Sequence, residues 1–219
     1  MRALRNLLIL LVVIVVLGAA LDVGLRLLLQ SRVEAAIEGA DRQIDVGDVD
    51  AEVGSFPFLP GLGLRGEVNH LSLRLEDLVT PDVTFSVFRI TVDGLTFDRS
   101  ALMNGQVRVQ RLDRAVIKAE ITEEAASEAV GVPVTFTPGA ATLQVAGQAR
   151  AATVALSRGE LTLSATGVGE LTIPISKGEY FPCAPEAQLK EAKIVLRCAA
   201  DSLPPALRPY VGGAGAGIG

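Results

Sequence analysis

The chain has 219 residues, 49% of them hydrophobic but only 4% aromatic and none Trp, so any interior is lined mainly by Val, Leu, Ile and Ala. The formal charge is −5, and setting aside Arg2, Arg5, Asp22 and Arg26 of the first thirty residues leaves 17 basic and 24 acidic side chains in the body. An acidic body repels polyanions, which argues against nucleic acid as a partner, and a single histidine, His70, excludes any metal site or relay that needs two.

At the N-terminus, Arg2 and Arg5 precede "LLILLVVIVVLGAAL", an uncharged run from Leu7 to Leu21. Fifteen residues fall short of the roughly 20 that span a bilayer as an upright helix. The run reads either as a secretory signal cleaved after Ala20 or as a retained anchor that borrows Val23, Leu25 and Leu27 to Leu29. Both readings of segment 1–21 export the rest of the chain. From Asp22 to about Ala40 the polar residues Asp22, Arg26, Gln30, Glu34 and Glu38 recur every fourth position, with Leu21, Leu25, Leu28, Val33 and Ile37 on another face. That periodicity predicts an amphipathic helix over 22–40.

Beyond Ile44 the period becomes two. The acidic run Asp45, Asp48, Asp50, Glu52 lacks the glycine and glutamate of a calcium loop, and its alternation with Val49, Ala51 and Val53 predicts the solvated face of a strand. Next comes "SFPFLPGLGLRG", residues 55–66, whose Gly61, Gly63 and Gly66 have the spacing of a dinucleotide loop. Such a loop must leave a strand and open a helix; here Pro57 and Pro60 precede the glycines and an alternating strand follows. With two prolines and crowded Phe56, Phe58, Leu59 and Leu62, the segment either tucks into the core or forms the apolar lip of a cavity.

Strands are predicted over about 44–53, 66–78, 82–97, 106–121, 132–137, 141–146, 149–157, 160–168, 170–175 and 192–199, with turns at "TPD", "PGA" and "SRGE". In "HLSLRLE", for example, Leu71, Leu73 and Leu75 share a face opposite Ser72, Arg74 and Glu76. "TEEAASEA", 122–129, opens with a capping residue and predicts a short helix, and "LPPALRPY" a further helical turn. Cys183 and Cys198, the only cysteines, predict a disulfide in an exported protein, two buried free thiols being the alternative. The tail "GGAGAGIG", 212–219, buries too little to order itself. The fold class expected is mainly β (α+β): one domain over 22–211, its N-terminal helix packed on a long twisted antiparallel sheet rolled around an aliphatic interior.

The order "VEAAIEGA", "IDVGDVDAEVG", "FPFLPGLGLRGEV", "LSLRLEDL", "GLTFD" resembles the LmeA-like phospholipid-binding family of actinobacterial cell-envelope proteins, from about residue 20 to 121 and more loosely to "LPPALR". Its most specific element is the motif Pro57, Phe58, Leu59. The resemblance implies a TULIP-like, exported, membrane-associated phospholipid binder, one relative of which takes part in mannan elongation of lipoglycans; it implies no cofactor and no catalytic residues. Candidate acyl-chain contacts are Phe56, Phe58, Leu59, Leu71, Leu73, Leu75, Phe85 and Val87, with Arg65 and Arg74 as phosphate partners. No catalytic motif is visible. The competing expectations are a scaffold with a filled core and an envelope glycosyl- or acyl-transfer enzyme.

Overall fold

The computed structural model describes residues 47–54, 66–98, 100–101, 108–157, 159–175 and 180–205. The signal or anchor at 1–21, the helix at 22–40, the candidates Phe56, Phe58, Leu59 and Arg65, most of the predicted turn around "LPPALRPY" and the tail at 212–219 lie outside the described residues. In chain order the elements are β1 (Asp48–Val53), β2 (Glu67–Val79), β3 (Thr84–Phe97), β4 (Val109–Thr122), α1 (Glu123–Val130), β5 (Val134–Thr137), β6 (Ala140–Val145), β7 (Gln148–Ser157), β8 (Glu160–Ala165), β9 (Gly169–Pro174), β10 (Glu186–Lys190) and β11 (Lys193–Ala200).

The fold is mainly β, but the single long sheet expected from the sequence is two antiparallel sheets. One has six strands in the order β1-β2-β3-β4-β11-β10, and the other is a five-stranded meander, β5 to β9. The meander is inserted between β4 and β11, which are neighbours in the first sheet. Uniform alternation along the sequence does not show where one sheet ends and the next begins. Here α1 makes the break. Thr122 caps it by accepting a hydrogen bond from the Ala125 N–H at 3.2 Å, and Gly131 closes it at φ 74. Glu123 of its first turn accepts from the Phe136 N–H at 2.6 Å and Ser127 from the Val134 N–H at 2.8 Å, which fastens β5 to the helix.

One hydrophobic core serves both sheets. Phe85, Ile117 and Ile121 from the first and Phe136, Leu143, Leu161, Leu163 and Ile173 from the second are fully buried in it. The sheets meet where β10 and β11 touch β5, and where α1 packs on β4, β5 and β9.

Along β3 strict alternation fails at two places. Glu76 pairs with Val87 and Leu78 with Phe85, so Asp77, at φ 51, stands opposite Ser86. Beyond this point the buried phase moves from Leu73 and Leu75 to Leu78. At the other end Gly94, at φ 66, lies between Asn69 and Asp113, and the phase moves from Ile90 and Val92 to Leu95. A Cβ on Gly94 would lie 2.7 Å from the Asp113 Cβ and overlap its carboxylate, so both the backbone angle and the space require glycine.

Candidate functional site

Between these two switches the inner face of the six-stranded sheet carries three unbroken apolar rows. Val49, Leu75, Phe88, Ala119 and Leu196 form one by direct pairing; Leu73, Ile90, Ile117 and Cys198 the next; Leu71, Val92, Ala115 and Ala200 the third. No ionisable group interrupts them. The rows arise because each strand alternates an aliphatic, aromatic or small apolar residue with a mostly polar one, and antiparallel register brings like positions together.

Four aromatic rings close one end of this face. Phe88 lies 5.9 Å from Phe85 and from Tyr180, and 6.0 Å from Phe181, between ring centroids. Phe85 and Phe88 are three residues apart, which alternation would place on opposite faces; the switch at Asp77 brings both into the cluster. Tyr180 and Phe181 belong to the segment before β10, and the Cys183–Cys198 disulfide ties that segment to β11, with 5.9 Å between the Cα atoms. Closing a loop of 15 residues contributes on the order of 3 kcal/mol by loop entropy. Because Cys198 is buried beside Ile117 on the inner face, the bridge also positions the two aromatic residues over Phe85 and Phe88.

The sequence-derived candidates divide between the two faces. Leu73, Leu75 and Phe85 are buried on the inner face and Leu71 is half-buried there. Val87 stands in register with Glu76 and Glu120, on the face opposite Phe88, because the alternation that would carry Phe85 to Val87 is broken between them. Arg74 also lies on that outer face, its guanidinium 2.7 Å from Glu76. Phe88, Ile90 and Val92 were missed, although their alternation with Arg89, Thr91 and Asp93 is plain in "FRITVD". Tyr180 and Phe181 were missed too; adjacent aromatics two residues before a cysteine were the available signal.

The outer face holds the one buried carboxylate among the described residues. Glu120 accepts from Lys118 at 2.7 Å and from Lys193 at 2.6 Å. Burial, the largest influence, pushes its carboxyl up, but the hydrogen bonds and charges of the two lysines together outweigh it and hold the group below its ordinary 4.5. His70 pairs with Asp93 at 2.8 Å, both near half exposed, as a surface pair on the same face. Among the described residues no group of three or more His, Cys, Asp or Glu side chains could hold a metal ion, and no helix is long and apolar enough to cross a membrane.

A family model described as LmeA-like phospholipid-binding matches residues 20–209, a span that includes both sheets. No curated protein and no solved structure matches the chain.

Proposed function

Since the chain belongs to the LmeA-like phospholipid-binding family, we propose that it is an exported cell-envelope protein that holds acyl chains against the inner face of its six-stranded sheet. The observation that carries this reading is the set of uncharged rows containing Leu71, Leu73 and Leu75, closed at one end by Phe85, Phe88, Tyr180 and Phe181. Burying acyl chain contributes about 0.8 kcal/mol per methylene, so a dozen methylenes supply on the order of 10 kcal/mol before ordering costs. Affinity therefore needs no polar anchor. Phe56, Phe58 and Leu59 are the candidates for further acyl-chain contact in this reading and Arg65 for the head group, all four lying outside the described residues. The reading includes a TULIP-like body, and segment 1–21 serves either as a membrane anchor or as a cleaved signal. The role is carriage, in lipid transfer or in lipoglycan maturation, rather than catalysis.

The disulfide supports export, since such bridges persist in oxidising compartments. One observation favours a second reading, a scaffold with a filled core: Phe85, Ile117 and Ile121 are already fully buried among protein neighbours. Tyr180 and Phe181 pack against Phe85 and Phe88, so a lipid that reaches those two rings must displace that segment.

Native mass spectrometry of the oxidised protein separates the two. Carriage predicts a bound phospholipid mass, or uptake of one from vesicles, that Phe58→Asp abolishes while the melting curve is unchanged. A clean protein mass that takes up no phospholipid points to a filled core and favours the scaffold.

A further inference from the structure

The outer face of the same sheet carries an arrangement that acyl binding does not use. Direct pairing sets six side chains in one row across all six strands: Asp50, Arg74, Arg89, Lys118, Arg197 and Glu186. Four consecutive members are cations. Like charges directly opposite one another destabilise a sheet, so such a row persists against its own repulsion.

Two of the four are neutralised locally. Arg74 is engaged by Glu76, although its Nε is buried without an acceptor, and Lys118 is engaged by Glu120. Arg89 and Arg197, on either side of Lys118, form no ion pair among the described residues. They border a cavity of about 620 Å³ to which β3, β4, β11 and β10 all contribute, so the outer face is concave there. Its lining holds Arg89, Lys190 and Arg197, besides Lys118 already paired with Glu120, against the lining carboxylate Glu186, with Thr91 and Gln188 as neutral hydrogen-bonding groups.

We infer that this cavity is a binding site for a phosphate ester of a small polyol. Arg89 and Arg197 flank Lys118 two strands apart, about 10 Å at the usual strand spacing, a span that two long side chains can close on one phosphate. Guanidinium forks match the phosphate oxygens bidentately. A cavity of this size holds more than the phosphate, and Thr91 and Gln188 can hydrogen-bond hydroxyl groups of the attached polyol. The acidic body disfavours a dense polyanion, which favours a ligand with a single phosphate. The site lies on the sheet face opposite the apolar rows, so it does not depend on where acyl chains bind. The ester is either a free molecule or the head group of a bilayer lipid.

Titration calorimetry with glycerol 3-phosphate and with inorganic phosphate tests the free source, and co-sedimentation with phosphatidylglycerol vesicles tests the bilayer source. The comparison is between the full-length protein and Arg89→Ser/Arg197→Ser. Binding of either probe that weakens with added salt and falls on the order of tenfold or more in the double variant supports the site, and which probe binds identifies the source. Arg197→Ser alone, at an exposed position, keeps the test valid should the double variant fold poorly. Arg150→Ser on β7 is the control and is expected to bind as the parent does. Failure of the native protein to bind any of the three probes, or undiminished binding by Arg197→Ser, overturns the inference. Lipid carried on the inner face is expected to be unaffected, so the two readings fail separately.

Discussion

In the five-stranded sheet, β8 buries Leu161, Leu163 and Ala165 at strict two-residue intervals, and β5 does the same with Val134 and Phe136. In the six-stranded sheet, β3 buries Phe88, Ile90 and Val92 and then, one position out of phase, Leu95, while Phe85 is out of phase at the other end. The first pattern suffices where a sheet need only cover a core. The second lets one sheet turn side chains from either end toward chosen neighbours, at the cost of left-handed backbone at Asp77 and Gly94. The conformational exceptions thus frame the stretch that carries the apolar rows.

Three substitutions sharpen this contrast. Phe88→Ala removes the hub of the aromatic cluster and is expected to cost about 3–5 kcal/mol, read from urea denaturation, with loss of the near-ultraviolet signal of Tyr180. Leu163→Ala in the other sheet is expected to cost a similar amount or less without that spectral change. Equal loss of the aromatic signal in both would dissolve the distinction. Gly94→Ala should cost about 1–3 kcal/mol, because Asp113 occupies the space of the new Cβ. A neutral result would show that the phase switch tolerates a side chain.

The smallest expected effect belongs to the outer face. Glu120→Gln should lower stability near neutral pH by on the order of 1 kcal/mol, a figure that allows for the partial exposure of both lysines. Glu120 has a depressed folded-state pKa, so its contribution is present above the unfolded value and is lost as pH falls through the folded one. The gap between parent and variant is therefore expected to close on acidification below its ordinary 4.5. A gap that persists there would assign the loss to packing rather than charge.

Most strands and the helix were legible, because half-buried strands write their two faces directly into alternation and α1 begins with Thr122 and ends before Gly131. β10 was not. "EAQLK" is an edge strand with mostly exposed side chains, and without burial there is little pressure for alternation. Val87 was grouped with Phe85 because nothing in the sequence marks Asp77 as left-handed; the angle is set by pairing across strands. Cys183 and Cys198 were readable as a bridge, but their place beside the aromatic cluster depends on register between β4 and β11. The cationic row is likewise a product of register. Arg74, Arg89, Lys118 and Arg197 are scattered along the chain and become neighbours only when four strands align.

The insertion of the meander between β4 and β11 also orders events in time. Both halves of the first sheet cannot join until β5 through β9 have been synthesised, so β4 waits with an unpaired edge while the meander, whose contacts are local hairpins, is free to form. Joining β11 to β4 is the pairing of highest sequence separation in that region and is expected to be the slow step. The Cys183–Cys198 loop is short by comparison and can close first. It would then deliver Tyr180 and Phe181 to the face together with β11, completing the sheet and sealing its aromatic end in a single late event.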